Sequence, residues 1–359
     1  MPHLSRRVAA IFLCLVPSIS TFAVEPPAPT RRNIAGARDP VILYSTRADN
    51  KLHILDADDL SLVASKDLGV GAHELAVSPD HRFALGTAYG GPGPGHQPAD
   101  NRIAVFDLEK HRLHRTIDLG TLKRPNDAAF MPDSKHAYVT VEQPPRIVKL
   151  SADTGEFTTI ELEKPTNHML ALSPDAKRLY VAHVMPGSIS VIDTAEDKVI
   201  ANHPVPDGAE GLAVSHDNSR VWVSCNRSDR VVVLDAATGK IEHELKVEGF
   251  PFRLRLSPDG KTAAVTCPKS DDLALINTAD PQKVRRVSLR GNPADADAPP
   301  LVPTSLAFTP DGKHLAIVCS GPDPEIVLVD FAAGKVAHRR KSDGQIPDAL
   351  AAALLGSKC

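Results

Sequence analysis

The 359-residue sequence is poor in the residues that identify many protein classes. It contains five cysteines, one tryptophan and 4% aromatic residues. A large core must therefore be built mainly from Val, Ile, Leu and Ala, which dominate its hydrophobic content of 42%. No C-x-x-C-H motif for covalent haem or G-x-S-x-G nucleophile turn is present, and the glycine cluster within Ala88–Asn101 lacks the G-K-[ST] ending of a phosphate loop. The sequence therefore lacks the short motifs that would name a chemistry directly.

A basic charge excess is also missing. The formal net charge is -3, and removing the N-terminal segment described next, with its two arginines, changes it to -5. Proteins that bind nucleic acids normally carry a basic excess or a basic stripe. Binding to nucleic acid is therefore disfavoured.

Long apolar runs are absent beyond the N-terminus. Residues 1–23 combine a basic start, an apolar run and small residues, Thr21 and Ala23, at the -3 and -1 positions of a cleavage site. We predict a signal peptide over 1–23 and an exported protein, periplasmic or secreted. The apolar run is too short for a membrane span of about 20 residues, so no transmembrane segment is expected. Residues 24–40, with four prolines, are predicted to form a flexible lead-in.

The rest of the chain repeats itself with a period near 42 residues. The phrase apolar-x-apolar-[ST]-P-D recurs, with small substitutions, with its aspartate at Asp80, Asp133, Asp175, Asp217, Asp259 and Asp311. A second phrase, an apolar run closed by Asp or a substitute, ends at Asp56, Asp107, Ser151, Asp193, Asp235, Asn277 and Asp330. A fixed period of this length is typical of repeat architectures such as propellers.

Each repeat contains the signals of four short strands. Ser257-Pro258-Asp259-Gly260 has the composition of a tight turn between a first and a second strand. Runs such as Arg230–Leu234 are apolar on both faces, as expected of a third strand sandwiched between neighbouring sheets. A hairpin turn ending at Gly239 then leads to a more polar fourth strand. Four strands in about 42 residues predict one propeller blade.

The two ends of the chain complete the ring. The segment Ile346–Leu354 matches a first strand with no strand after it, whereas Val41–Asp56 supplies second and third strands with no first strand before them. Joining the two makes a seventh blade and removes exposed sheet edges. We therefore predict an all-β, seven-bladed β-propeller of four-stranded antiparallel blades over 41–355, followed by a short tail, 356–359.

The second-strand phrases also carry a family resemblance. Tyr138-Val139-Thr140, Tyr180-Val181-Ala182 and Trp222-Val223-Ser224, each followed by an apolar run to Asp or a substitute, resemble the YVTN-type repeats of seven-bladed bacterial β-propellers. The resemblance covers roughly 41–355. Such propellers include surface-layer proteins, lactonase-like enzymes and proteins of unknown role, so the resemblance implies the fold and leaves the activity open.

Candidate functional residues follow from the position of the first strands, which line the central channel. Seven positions before each turn aspartate, a first column is expected at one mouth: His73, Asn126, His168, Glu210, Phe252, Thr304 and, from the tail, Asp348. The next residues form a second column: Glu74, Asp127, Met169, Gly211, Arg253, Ser305 and Ala349. Polar strand starts in a wet channel also have a simple explanation, since water is present there.

Two functional interpretations remain. In the first, the protein is a binding or scaffold propeller whose mouth holds a small molecule or a protein partner, with Asn126, Arg253 and Asp348 as ligand-binding residues. In the second, it is a metal-assisted hydrolase or lyase of the lactonase-like kind. His73, His168 and Glu210 would then bind a divalent metal, and Glu74 or Asp127 would act as general base. Arg253 would bind an anionic substrate.

Two insertions on the same face favour the binding role. Ala88–Asn101 lengthens the loop between two strands of one blade, and Arg290–Pro303 lengthens a crossing between blades. Long loops on a rigid scaffold commonly carry recognition.

Cys225, Cys267 and Cys319 fall in one column and are predicted to be buried thiols, because adjacent blades hold them too far apart for a disulfide. Cys359 is a terminal thiol that could pair between molecules.

Overall fold

The computed structural model describes residues 38–91, 98–291 and 298–356, all within one compact unit, Gly36–Cys359. These residues form 28 β-strands in seven four-stranded antiparallel sheets. The predicted seven-bladed β-propeller is confirmed. The predicted signal peptide, most of the lead-in, the centres of both long loops and Cys359 lie outside the described residues.

The strands are numbered in chain order, and the blades are numbered from the one that contains both ends of the propeller. From the hub outward, blade 1 consists of β28 (Pro347–Gly356), β1 (Arg38–Thr46), β2 (Lys51–Asp56) and β3 (Leu62–Asp67), and blade 2 of β4 (Glu74–Val77), β5 (Phe83–Thr87), β6 (Arg102–Asp107) and β7 (Arg112–Asp118). Blade 3 consists of β8 (Lys123–Phe130), β9 (His136–Gln143), β10 (Arg146–Ser151) and β11 (Phe157–Glu161). Blade 4 consists of β12 (Asn167–Leu172), β13 (Arg178–His183), β14 (Ser188–Asp193) and β15 (Lys198–Pro204).

In blades 5 to 7, as in blades 2 to 4, each blade is built from four consecutive strands. Blade 5 consists of β16 (Ala209–Val214), β17 (Arg220–Cys225), β18 (Arg230–Asp235) and β19 (Ile241–Lys246). Blade 6 consists of β20 (Leu254–Leu256), β21 (Thr262–Cys267), β22 (Asp272–Asn277) and β23 (Val284–Ser288). Blade 7 consists of β24 (Pro303–Phe308), β25 (His314–Cys319), β26 (Glu325–Asp330) and β27 (Lys335–Lys341).

Blade 1 closes the ring by pairing the two ends of the propeller. β28 runs antiparallel to β1, with Val41 opposite Ala353 and Leu43 opposite Ala351. The hub strand of this blade therefore comes from the C-terminal end, and its other three strands come from the N-terminal end. This pairing confirms the expected closure and leaves no gap between blades 7 and 2.

Apolar packing between neighbouring blades forms the core. Seven clusters of buried apolar residues occur among the described residues, one at each contact between two blades. Tyr138 and Ile147 of blade 3, for example, pack with Leu179 and Val181 of blade 4. The second and third strands are apolar on both faces because each face lies against a different neighbouring blade. Burial of these layers holds the hub strands in a fixed ring.

The column of cysteines lies inside these layers. Cys225, Cys267 and Cys319 are free and buried, in agreement with the prediction. Burial raises the pKa of the Cys225 and Cys267 thiols to about 12, so both are protonated at neutral pH. They contribute packing and no reactive thiolate.

Turns with a hydrogen bond from Ser or Thr to Asp fix the far end of the hub strand in five blades. In the turn before β17, the Ser215 hydroxyl donates to Asp217 Oδ1 at 2.6 Å and accepts the Arg220 N–H at 2.9 Å. Hydrogen bonds from Ser215 and Ser219 lower the pKa of Asp217 to about 2. The repeated phrase therefore reflects local turn chemistry, which fixes where the second strand starts.

Among the described residues, no helix has the length and apolar character needed to cross a membrane.

Candidate functional site

A ring of left-handed residues directs the chain into the hub. Six of the seven crossings between blades have a positive φ, between 54° and 89°, two positions before the first column: Arg124, Thr166, Gly208, Phe250, Val302 and Ile346. Only one of the six is glycine, so the others carry backbone strain of about 1 kcal/mol or more each. Because this conformation recurs at six of the seven crossings, it belongs to the fold and sets the direction of the first-column residue in those six blades.

Hydroxyl groups of the second strands fix the same residues from the side. The Thr140 hydroxyl accepts the N–H of Asp127 at 2.9 Å and donates to the carbonyl of His168 in the next blade at 2.6 Å. In five blades a hydroxyl at this position accepts a hydrogen bond from the backbone N–H of the second-column residue. These hydroxyls belong to Ser45, Thr87, Thr140, Ser224 and Thr266. Blades 4 and 7 have Ala182 and Val318 at this position and lack the bond. The Ser/Thr of the repeat phrase thus ties the hub strands of adjacent blades together.

An ion pair crosses the hub and forms the floor of the mouth. Arg253 of blade 6 donates to Glu74 of blade 2 through Nε at 3.0 Å and through a second, very short bond, and its Nη1 donates to Glu210 of blade 5 at 3.0 Å. All three side chains are at least nine-tenths buried. Blades 2 and 6 face each other across the ring, so the guanidinium lies across the channel. Burial opposes its charge, but the two carboxylates raise the pKa of Arg253 above its ordinary value.

His73 belongs to a second ionic group on the side of blades 1 and 2. Its Nδ1 lies 2.6 Å from Asp348 Oδ2, and Arg47 Nη1 donates to the same oxygen at 3.1 Å. Burial alone would lower the pKa of His73, but the charge of Asp348 and its hydrogen bond outweigh burial and raise it. The pKa of Asp348 is lowered, because His73 and Arg47 offset the effect of its burial. This group is therefore a charged cluster with its partners already in place.

His168 lies in the equivalent position of blade 4 and has the opposite state. Its ring centroid is 6.2 Å from that of His73, and its Nδ1 is 3.4 Å from Glu210 Oε1 without the alignment of a hydrogen bond. Burial lowers the pKa of His168 to about 4, since the attraction of Glu210 is opposed by Arg253 and His73. The imidazole is therefore neutral at physiological pH and keeps an unpartnered nitrogen.

Asn126 and Asp127 lie behind the wall of the mouth on blade 3. The Asn126 amide donates to Glu142 at 3.4 Å, and the hydroxyl of Tyr89 donates to the other oxygen of Glu142 at 2.8 Å. Asp127 accepts the backbone N–H groups of Ala128 and Leu170. Burial and the nearby charge of Glu74 raise the pKa of Asp127 above its ordinary value. Both residues are buried, and neither lines the cavity described next.

These groups surround a cavity of 480 Å³ at the mouth, whose floor is Arg253. Three sets of equivalent positions build most of its wall. The first column contributes His73, His168, Glu210 and Phe252; the left-handed positions contribute Thr166 and Phe250; the positions two residues after the second-strand hydroxyl or its equivalent contribute Arg47, Tyr89, Glu142, Val184 and Asn226. Met185 and Arg227 complete it. A volume of this size suits a small organic molecule.

The third set was missed by the sequence analysis, although the repeat contains its signal. These residues stand two positions beyond the Ser/Thr of the Tyr138-Val139-Thr140 phrase or its equivalents, where the second strand ends at the mouth. Across blades 1 to 5 they are Arg, Tyr, Glu, Val and Asn, a variety that structural positions rarely show. The same alignment that found the first column could have found them.

The predicted site residues are only partly brought together for catalysis. His73, His168, Glu74, Glu210, Arg253 and Asp348 all meet around the mouth, as the column alignment anticipated. His73 and Glu210, however, are paired with Asp348 and Arg253, and no group of three His, Cys, Asp or Glu side chains among the described residues is arranged to hold a metal ion. Arg253, expected to meet an anionic substrate, is already bound by two carboxylates. These side chains are therefore not arranged as a metal-ligand set among the described residues, and the metal-assisted role stays a hypothesis.

Comparison with known proteins supports the fold. No protein-family model matches the chain, and no curated protein matches it in sequence. Among solved structures, hydrazine synthase from Kuenenia stuttgartiensis is 15% identical with a TM-score of 0.62, covering 91% of this chain and 99% of that chain. A functionally unknown protein from Desulfotomaculum acetoxidans is 12% identical with a TM-score of 0.70, covering 89% and 99%. At these identities the similarity concerns the propeller fold alone.

Proposed function

We propose that this chain is an exported binding protein that holds a small molecule in the cavity at the mouth of its propeller. The observation that carries the proposal is the cavity of 480 Å³, with a closed ionic floor and with two polar atoms that lack partners among the described residues, His168 Nδ1 and Asn226 Oδ1. Buried polar atoms in native proteins are almost always hydrogen-bonded, so such atoms beside a cavity are suited to contact a ligand. The rigid ring around them reduces the ordering cost of binding.

A plugged variant tests this proposal. Val184→Trp places an indole where a smaller side chain lines the cavity, whereas Val199→Trp makes the same change on an exposed outer strand. We expect compounds from a small-molecule library that raise the melting temperature of the wild type to raise that of Val199→Trp equally and to have no effect on Val184→Trp. A library that stabilises no sample, or that stabilises the plugged variant as well, would contradict binding in the cavity.

The proposal includes export, based on the pattern of residues 1–23. A signal peptidase would cleave after Ala23, and the mature protein would begin at Val24. The intact mass of the protein recovered outside the cytoplasm should match residues 24–359. Thr21→Arg with Ala23→Arg, which removes the small residues of the cleavage site, should leave the longer form. Recovery of the uncleaved wild type in the cytoplasm would contradict this part.

The proposal also keeps the resemblance to YVTN-type propellers. The hydroxyl at the third position of the phrase supports it, because that side chain ties adjacent blades together in the way described for Thr140. The hydrolase or lyase alternative is not carried forward, since Glu210 and Arg253 are engaged with each other.

A further inference from the structure

The polar side chains on one side of the cavity wall have hydrogen-bond or ion-pair partners, whereas some of those on the other side lack them. On the side of blades 1 to 3, Asp348 is bound by Arg47 and His73, and Glu142 is bound by Tyr89 and Asn126. On the side of blades 4 to 6, the buried Oδ1 of Asn226 and the Nδ1 of His168 have no hydrogen-bond partner in residues 38–91, 98–291 and 298–356. The polar atoms without a partner among the described cavity-lining residues therefore lie on the second side, on His168 and Asn226.

A cation without a counter-ion stands on the same side. Arg227 lines the cavity, is exposed, and forms no ion pair within the described part of the chain. Its carboxylate neighbours, Asp207 and Asp229, accept the backbone N–H groups of Gly187 and Phe250 and do not line the cavity. By contrast, the other two cavity arginines, Arg47 and Arg253, are paired with carboxylates. Arg227 is therefore the guanidinium available to a ligand.

The loop that carries Arg227 is held in place before any ligand arrives. Asn226 N–H donates to the Gly208 carbonyl at 2.8 Å, and Ser228 Oγ donates to the Asp207 carbonyl at 2.8 Å. A Cβ on Gly208 would lie 2.4 Å from Arg227 N and 2.5 Å from Asn226 Oδ1, so glycine is required for this close approach. Pre-positioning of the loop lowers the ordering cost of binding at this point.

An aromatic surface lies beside this cation. The rings of Phe250 and Phe252 have centroids 6.1 Å apart and are inclined by 24°. Lys269 does not line the cavity, but its Nζ lies 4.7 Å from the Phe250 ring centroid and forms no ion pair among the described residues, so it is a second cation beside this aromatic surface. Flat apolar surface next to unpaired cations matches a ring that carries a negative charge.

From this arrangement we infer that the ligand class is an aromatic carboxylate or a similar planar organic anion. Its ring packs on Phe250 and Phe252, and its charged group meets Arg227, with the Asn226 amide beside it. This inference deepens the proposed function and rests on it.

Three naphthalene probes of equal ring size and different charge test the inference. They are 1-naphthoate, 1-naphthalenemethanol and 1-naphthylmethylammonium, measured by isothermal titration calorimetry against the mature chain at neutral pH. We expect naphthoate to bind at least about tenfold more tightly than the other two, as for one charge-assisted contact. Arg227→Gln should weaken naphthoate about tenfold and leave the alcohol unchanged. Lys269→Gln should weaken it by a smaller factor of about 2, because an exposed charge is screened.

Arg230→Gln is the matched control, since Arg230 lies in the same hairpin but pairs with Glu244. It should leave naphthoate binding unchanged. Equal or tighter binding of the alcohol or the ammonium, or retention of naphthoate affinity in Arg227→Gln, would overturn the ligand class while leaving cavity binding intact. Binding of none of the three probes would also overturn it, and the library measured with the plugged variant would decide separately whether the cavity binds anything.

Discussion

The two sides of the mouth use the same positions of the repeat with different results. His73 and His168 are equivalent residues of blades 2 and 4, yet Asp348 and Arg47 surround the first, whereas the second has an unpartnered nitrogen. The first side resembles a structural ion cluster, in which each charge already has a partner. The second has aromatic surface and, within the part of the chain that the structure describes, unsatisfied groups and an Arg227 without an ion pair. Position in the repeat thus brings a side chain to the mouth, and its neighbours decide whether it is free to bind.

Removing the ion pair between the two sides should have the largest effect. Arg253→Met leaves Glu74 and Glu210 buried without their cation, so we expect a loss of about 3 to 5 kcal/mol in the free energy of unfolding. Urea denaturation at neutral pH measures it. Arg230→Met, which breaks an exposed pair with Glu244, should cost about 1 kcal/mol or less.

A further variant separates charge from packing. Arg253→Met combined with Glu74→Gln and Glu210→Gln removes the unpaired charges and should recover part of the lost stability. Equal destabilisation of the single and triple variants would show that the guanidinium acts through packing and not through its charge.

Loss of one hydroxyl between blades 3 and 4 should have an intermediate effect. Thr140→Val keeps the side-chain shape but leaves the N–H of Asp127 and the carbonyl of His168 without this partner, which should cost about 1 to 3 kcal/mol. Thr158→Val makes the same change on an exposed outer strand and should stay within about 0.5 kcal/mol of the wild type. Similar values for the two variants would show that the hydroxyl does not tie the blades together.

The charge states of the two histidines should be the most subtle difference between the sides. By NMR titration, His73 should titrate above the ordinary pKa of 6.5 and His168 at about 4. Folding places the protonated imidazole of His73 beside Asp348, which raises its pKa. Its contribution to the free energy of unfolding is therefore complete below pH 6.5 and is lost as the pH rises through the raised pKa. His168 is neutral in the folded state, so stability falls as the pH drops from 6.5 towards 4.

Single replacements assign these two pH dependences. His73→Gln should remove the alkaline loss of stability, and His168→Gln should remove the acidic loss. Asp348→Asn serves as a control for the cause, because it should lower the pKa of His73 and leave that of His168 nearly unchanged. Two histidines that titrate together near 6.5 would contradict the difference between the sides.

Much of the fold could be predicted from the sequence because each signal is local. The turn of Ser215 and Asp217 is closed by bonds between residues two to five apart, and apolar runs such as Arg230–Leu234 report burial on both faces directly. Seven copies of the same signals fixed the number of blades. The pairing of β28 with β1 followed because each end of the chain lacks what the other supplies.

The site was predictable only as a set of positions. Column counting placed Glu74, Glu210 and Arg253 near one another, but their bonds join residues 43 and 179 positions apart, and the sequence does not state which partner each charge takes. The metal set of His73, His168 and Glu210 was therefore a hypothesis about position, and in the structure His73 pairs with Asp348 and Glu210 with Arg253.

The sequence by itself determined the strands, their turns, the blade count and the list of side chains that reach the mouth, because those depend on short-range bonds and on a repeated pattern. Only the tertiary structure decided which of these side chains neutralise one another across the hub and which stay available. Charge pairing and desolvation depend on distances of a few ångströms between blades, and those distances exist only once the ring has closed.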